Sequence, residues 1–192
     1  MSTESIAGVV GLGVFLVILV VIYNRLVRLR YHVKSSWSDI DVQLKKRYEL
    51  VPNLVETVRG YAAHERDTLD KVTELRAAAM KADTPRGKAR AEHMFAGTIR
   101  TLFVLAEHYP SLQADGHFRD LMVQLRELED HIEYARRYYN ASVRDFNIAT
   151  GVFPSSLVAA SFAFTPEEFF ALQEGGRERD VVTVAFAPPA QS

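Results

Sequence analysis

Residues 6–23 read IAGVVGLGVFLVILVVIY, an uninterrupted apolar run near the start of the 192-residue sequence. The run contains 18 residues without a charge or a proline. As an α-helix it extends about 27 Å, which is close to the thickness of a bilayer's hydrocarbon core. Tyr23 lies where aromatic side chains gather at a membrane surface. The run predicts a single transmembrane helix over residues 6–24, preceded by a short segment, residues 1–5, outside the membrane.

A cleaved signal peptide is the main alternative for this run. Signal peptides begin with a basic region, whereas Glu4 is the only charged side chain before the run. No small-residue cleavage site follows, because Tyr23 leads directly into NRLVRLRYHVK. These features favour a retained membrane anchor.

The charges around the run predict its orientation. Basic side chains are concentrated on its C-terminal side, and basic flanks face the cytoplasm. We therefore expect a membrane protein with its N-terminus outside and its body cytoplasmic, with the lipid bilayer as a partner. The residues that we assign to the anchor are Ile6, Phe15, Tyr23, Arg25, Arg28 and Arg30, and Lys34 adds a fourth cation.

The rest of the sequence predicts long helices, because apolar residues recur at intervals of three and four. The stripes comprise Trp37, Ile40, Leu44, Val51, Leu54, Val58 and Tyr61, continued after a register shift by Leu69, Val72, Leu75 and Ala79; Phe95, Ile99, Leu102, Phe103, Ala106 and Tyr109; and Phe118, Leu121, Leu125, Leu128, Ile132, Ala135, Tyr139 and Phe146. No stretch alternates as a strand would. The fold class is therefore all-α: one transmembrane helix followed by a long antiparallel, coiled-coil-like bundle over residues 25–172.

Prolines and polar residues predict where these helices begin and end. Pro52 should kink the first helix or restart it near residues 50–51. Thr84 precedes Pro85 as an N-cap, and Pro110 should stop the second helix. The third helix should end near Gly151.

The sequence after the third helix predicts shorter elements. Pro154 and Ser155 should open a short fourth helix over residues 157–162. Thr165 and Glu168 form a capping box that should open one or two further helical turns containing Phe169. Residues 173–192 are charged, then apolar and Pro-rich, and predict a flexible tail.

The residue types present argue against an enzyme. The chain has no cysteine, which excludes disulfides and thiol nucleophiles. No histidine follows a glutamate by three residues, as bundle di-iron sites require. His64 and Glu65 begin a zinc-protease motif, but Thr68 occupies the position of its second ligand. We therefore assign no catalytic, cofactor or metal residue and expect no cofactor.

Nucleic acid is also an improbable partner by charge. Lys and Arg number 23 against 24 Asp and Glu, so the formal net charge is −1 and the chain has no basic field. Tyr138, Tyr139 and Phe146 resemble base-stacking platforms, but Tyr139 and Phe146 lie seven residues apart on the core stripe, which favours packing.

Polar residues are dense beside the first stripe. Arg47 interrupts it between Leu44 and Val51, and a cation there must pair or reach water. We expect it to pair with a carboxylate of the third helix, Glu129 or Glu133. Beyond Pro52, four residues should align on one helical face: Asn53, Glu56, Gly60 and His64. This face is either a solvated helix surface or a partner-binding surface.

These residues resemble a known family. Residues 37–72, WSDIDVQLKKRYELVPNLVETVRGYAAHERDTLDKV, are similar to the signature region of the LemA family, bacterial proteins with one N-terminal membrane helix and a cytoplasmic helical bundle. Later segments resemble it in order, among them EHYPSL at residues 107–112 and ARRYYN at residues 135–140. Tyr48 stands where the family pattern leads us to expect histidine.

The resemblance implies a role rather than a reaction. No enzymatic activity is established for the family, and one branch belongs to magnetosome membranes. The resemblance therefore implies a protein of the bacterial inner membrane that acts as a scaffold or adaptor for unidentified membrane or envelope proteins. The motif residues of the candidate structural or interaction surface are Trp37, Asp39, Asp41, Arg47, Pro52, Asn53, Glu56, Gly60 and His64. Gly8, Gly11 and Gly13 leave open a homo-oligomer, and an enzyme that completes its metal-dependent or hydrolytic site with a partner is the alternative from another class.

Overall fold

The computed structural model describes residues 3–171, and this part of the chain is helical with no strand, which confirms the all-α class. The described helices are α1 (Thr3–Tyr61), α2 (Arg66–Lys81), α3 (Pro85–Ala106), α4 (Pro110–Ala114), α5 (Gly116–Gly151) and α6 (Ser155–Ser161). The tail predicted over residues 173–192 lies outside the described residues, as does the last residue of the predicted bundle.

Helix α1 joins the apolar run to the body of the protein without a break over 59 residues. It contains the one segment of the described chain that is long and apolar enough to cross a membrane. Only 6% of the most apolar 18-residue stretch of this helix is buried. Phe15, for example, is 56% exposed, whereas Ile40 and Leu44 farther along the helix are fully buried. The first turns of α1 therefore extend beyond the packed body.

Pro52 does not interrupt α1, so the expected restart near residues 50–51 is wrong. Proline removes the amide that would bond the carbonyl of Tyr48, four residues earlier. That carbonyl instead accepts a hydrogen bond from Nε of Arg76 on α2, at 2.7 Å. Val51 and Leu54 are buried on either side of the proline, so this part of α1 is packed into the core.

The predicted stripes form the core. Every stripe residue of α2 and α5 is buried, and the stripes of α1 and α3 are buried or packed against the core, apart from Tyr61, which is 42% exposed. Contacts between α1 and α5 occur along their lengths. Trp37 meets Tyr139, Arg47 meets Glu129, and Tyr61 meets Asp115.

Local signals account for most helix boundaries. The side chain of Thr84 caps α3 by accepting from the amide of Gly87, and Pro85 opens that helix, as expected. Asp115 caps α5 through the amide of Phe118. Between them α3 ends at Ala106 rather than at Tyr109, and Pro110 begins the single turn of α4, which buries Leu112.

The segment after α6 differs from the expected helix. Residues 164–169 have no helical structure, so the capping box of Thr165 and Glu168 does not open a helix. This segment lies along α5, where the side chains of Asn140 and Asn147 form hydrogen bonds with its backbone.

Candidate functional site

A cluster of charged side chains lies inside the bundle beneath the predicted surface. Arg47 of α1 is 2% exposed, and its Nη1 donates to Oε2 of Glu129 on α5 at 2.7 Å. Its Nη2 donates to Glu92 of α3, which is also buried and accepts a second hydrogen bond from the hydroxyl of Tyr48. We call Arg47, Tyr48, Glu92 and Glu129 the polar core. The expected partner Glu129 is confirmed, while Glu133 lies 3.5 Å from Arg137 of the same helix.

Neighbouring side chains complete the surroundings of the polar core. The guanidinium of Arg47 lies 5.3 Å from the ring centroid of Phe95, within cation–π range. Lys88, one turn before Glu92 on α3, is buried and donates to the carbonyl of Ala79 on α2 at 3.1 Å. Together with Arg76, these contacts join α1, α2, α3 and α5 at one level of the bundle.

The electrostatics of the polar core follow from burial. Burial lowers the pKa of Arg47, and Glu129 opposes that shift. Burial also raises the pKa of Tyr48 to about 12, so its hydroxyl keeps the proton that it donates to Glu92. Arg47 and Glu92 form a buried ion pair of opposite charges, and the second carboxylate on Arg47, that of Glu129, is 57% exposed and reaches solvent.

Sequence reasoning missed Glu92 and Lys88. Both fall in register with the apolar stripe of α3, three and seven residues before Phe95. Arg47 is recognisable as a buried ion-pair residue because it is a charged residue on a core stripe. The same criterion applied to α3 identifies Glu92, the partner of Arg47.

The structure divides the predicted surface residues into buried and exposed sets. Trp37 and Arg47 belong to the interior: the Trp37 ring packs at centroid distances of 5.3 Å from Tyr139 and 6.0 Å from Phe170. Asp41 is half-buried and pairs with Lys45 at 2.7 Å. The exposed residues on α1 are Asp39, Pro52, Asn53, Glu56 and Gly60.

His64 does not share the helical face of Asn53 as expected. Helix α1 ends at Tyr61, and His64 lies in the turn that follows. The turn lets α2 fold back onto the bundle, where Leu69 and Val72 are buried. The predicted face therefore consists of Asn53, Glu56 and Gly60 on α1, and His64 is exposed beyond the end of that helix.

Asn53 lines a shallow groove of about 440 Å³ between α1 and α5. Leu50 and the largely buried Leu128 supply apolar surface, and charged and polar residues surround them. The polar lining consists of Lys46, Glu49, Asn53, Gln124, Glu127 and His131. The groove therefore has a small apolar floor and a border of mixed charge.

Two asparagines on α5 hold the segment that follows α6. The side-chain amide of Asn147 donates to the carbonyl of Glu167 at 3.0 Å and accepts from its amide at 2.8 Å. Asn140 makes the same pair of bonds with Phe170, at 3.1 and 2.9 Å. The two asparagines are seven residues apart and share one helical face, and each makes two hydrogen bonds with the backbone of one residue of the segment. We call this pair the asparagine clamp.

Tyr139 supports the asparagine clamp. Its hydroxyl donates to the carbonyl of Glu168 at 2.8 Å, and burial raises its pKa to about 12. Phe170 is thereby held under Trp37.

The predicted anchor residues all lie on α1. Ile6 lies in its first turns, and Arg25, Arg28 and Arg30 are exposed. Tyr23 packs against Phe162, with ring centroids 4.8 Å apart. A second groove, of about 620 Å³, opens here between α1 and the segment after α6, lined in part by Arg30 and Lys34. Among the described residues, no group of three or more His, Asp or Glu is arranged to hold a metal ion.

Comparison with known proteins places these features in context. The sequence model of the LemA family matches residues 36–186. The chain is 24% identical over 194 residues to magnetosome protein MamQ of Magnetospirillum gryphiswaldense, covering 88% of this chain and 71% of that protein. It is 25% identical over 152 residues to protein LemA of Metamycoplasma hominis, covering 79% of this chain and 69% of that protein.

Proposed function

The chain belongs to the LemA family, and on this basis we propose that it is a single-pass protein of the bacterial inner membrane whose cytoplasmic bundle is a non-enzymatic scaffold for other membrane or envelope proteins. The observation that carries the proposal is the continuity of α1. One helix of 59 residues joins the apolar segment to the bundle with no linker between them.

The membrane assignment is supported by the exposed apolar turns of α1. Apart from Leu19, the large apolar side chains from Val10 to Val21 are exposed and cover the helix with apolar surface that the rest of the described chain leaves open. In water such a surface is unfavourable, whereas the hydrocarbon core of a bilayer accepts it. Arg25, Arg28 and Arg30 follow directly and favour a cytoplasmic location for the body.

The proposed bundle is antiparallel. Its support is the order of contacts between α1 and α5, because residues that come later in α1 meet residues that come earlier in α5. Trp37 meets Tyr139, and Tyr61 meets Asp115. With a helical rise of about 1.5 Å per residue, the end of α1 at Tyr61 lies about 55 Å from residue 24, where the proposed membrane span ends.

A scaffold role agrees with the arrangement of the charged residues, which either form hydrogen bonds inside the bundle or lie on its surface. The polar core is closed off from solvent except at Glu129, and its groups bind one another. Among the exposed residues of α1, Lys46, Glu49 and Asn53 line the groove between α1 and α5. We propose this groove as the place where a partner protein binds.

Site-specific photocrosslinking in membranes tests this proposal. A photoreactive amino acid replaces Asn53 in the groove, and the control replaces Arg100, an exposed residue of α3. We expect one discrete protein adduct from position 53, absent from position 100, and a lower yield when Glu127→Lys reverses a charge of the groove. Adducts with lipid alone, equal adducts at both positions, or adducts only with a second copy of this chain would contradict the scaffold role.

A further inference from the structure

The corner formed by the end of α5 and by α6 packs against the membrane end of α1. Leu26 of α1 is buried together with Ala149, Val158 and Ala159, and Leu19 and Ile22 pack at the edge of this cluster. The ring of Tyr23 contacts Phe162 at a centroid distance of 4.8 Å and Phe164 at 5.9 Å. We call residues 148–164 the α5–α6 corner.

These contacts fix the level of the α5–α6 corner relative to the anchor. Leu19 and Ile22 belong to the last turns of the segment that we propose to span the membrane. With a rise of about 1.5 Å per residue, Leu19 lies about 7 Å inside the end of that segment at residue 24. A structure that packs on Leu19 therefore reaches the depth at which interfacial helices lie, about 5–10 Å below the surface.

The outer side of the corner is apolar and open. Phe153 is 80% exposed and Leu157 is 63% exposed, and neither contributes to the two hydrophobic clusters of the described chain. Further exposed apolar side chains of the corner are Ile148, Val152 and Phe162. Soluble surfaces seldom gather so many large apolar groups in one place.

Charged residues are absent from the α5–α6 corner and present on the part of α1 beside it. Residues 146–166 contain no Asp, Glu, Lys or Arg, and Asp145 and Glu167 mark the limits of this uncharged stretch. On the neighbouring face of α1, Arg25 and Arg28 are exposed at the level of Leu26, where they can meet lipid headgroups. An uncharged apolar tip beside a cationic band is the pattern of a segment that inserts into one leaflet.

We propose that the α5–α6 corner inserts into the cytoplasmic leaflet beside α1, so that the bundle contacts the bilayer at two places. This inference rests on the proposed function, since it requires that α1 span the membrane. The occupant of the exposed apolar face is the lipid bilayer, because the face adjoins the turns of α1 that end the anchor. Insertion at a second place fixes the tilt of the bundle relative to the bilayer. With α1 as the single contact, the bundle would be free to rotate about the axis of that helix.

Depth-dependent fluorescence quenching tests this inference directly. The chain has no cysteine, so a single introduced cysteine is labelled cleanly with an environment-sensitive fluorophore. The full chain is reconstituted into vesicles of phosphatidylcholine and phosphatidylglycerol, with or without bromine on the acyl chains. The test variants are Phe153→Cys and Leu157→Cys. Val17→Cys marks the anchor, and Val123→Cys, 52% exposed on α5, marks the bundle surface.

We expect the probes at positions 153 and 157 to emit at shorter wavelength than the probe at 123 and to be quenched by bromine. Their quenching should be strongest with bromine near the headgroup, whereas the probe at 17 should respond to deeper bromine. Quenching at 17 together with unquenched probes at 153 and 157 overturns the inference and leaves the anchor intact. A shifted but unquenched emission at 153 identifies a protein occupant and also overturns it. Absence of quenching at 17 overturns the anchor and the inference together.

Discussion

Glu92→Met removes the central acceptor of the polar core and should destabilise the bundle strongly. Arg47 then keeps only Glu129, whose side chain is 57% exposed, and the hydroxyl of Tyr48 loses its acceptor inside the protein. Breaking a buried ion pair by removing one partner typically costs about 3–5 kcal/mol, because the remaining charge stays buried without compensation. We expect a loss of this size in the free energy of unfolding.

The same reasoning predicts rescue by removing the other partners. In the triple variant Arg47→Met, Tyr48→Phe, Glu92→Met, apolar groups of similar volume replace the buried polar groups, and such replacements are often neutral or stabilising. The triple variant should therefore recover most of the stability that Glu92→Met loses. Lys45→Met is the matched control, because it breaks the exposed ion pair with Asp41 and should change stability little.

Denaturant unfolding of the full chain in detergent micelles measures these effects. Trp37 is the sole tryptophan and packs against α5, so its fluorescence follows the bundle, and far-ultraviolet circular dichroism follows the helices. A loss below about 1 kcal/mol for Glu92→Met would refute the reasoning, since single surface pairs already reach that value. A triple variant as unstable as the single variant would refute it as well.

Three further predictions concern contacts elsewhere in the bundle. Asn147→Ala removes both bonds of one half of the asparagine clamp and should cost about 1–3 kcal/mol in unfolding free energy, with faster hydrogen exchange after α6 as the readout. Arg76→Met should destabilise the wild-type chain but much less the Pro52→Ala chain, where an amide again bonds the Tyr48 carbonyl; a double-mutant cycle measures the difference. Because burial raises the pKa of Tyr48 and Tyr139 from 10 to about 12, the folded chain holds these protons to higher pH than the unfolded chain. The contribution of the two hydroxyls to stability should therefore be constant below about pH 10 and be lost between about pH 10 and 12, so the fall in stability over that range should have a smaller slope in Tyr139→Phe.

The helices and their core faces were predictable because each stripe is a local property of the sequence. Residues such as Leu121, Leu125 and Ile132 repeat at helical spacing, and packing requires nothing more of them than burial. Caps were predictable for the same reason: Thr84 and Pro85 act within one turn.

Pro52 shows where local reasoning ends. Proline breaks a helix because a carbonyl loses its donor, but here Arg76 supplies a donor from a helix whose place the sequence pattern does not reveal. The capping box of Thr165 fails similarly, since the asparagine clamp offers the backbone bonds that an isolated segment would seek in a helix. In both cases a contact between distant residues outweighs a preference of neighbouring ones.

The candidate site was predictable in part. The position of Arg47 on a core stripe predicted a buried pair with Glu129, and the structure confirms it. Glu92 was missed because the stripe of α3 was defined only from Phe95 onward, one turn too late. The groove at Asn53 required the pairing of α1 with α5, which periodicity alone does not specify.

Cysteine accessibility in intact bacterial cells tests the central claim, a single-pass membrane protein with a cytoplasmic body. A membrane-impermeant maleimide is applied to cells that express Thr3→Cys or Val123→Cys in the otherwise cysteine-free chain. The account predicts labelling at position 3 in intact cells and labelling at position 123 only after the cells are opened, with both variants in the membrane fraction. Labelling at position 123 in intact cells, or a chain that leaves the membrane fraction, would contradict it.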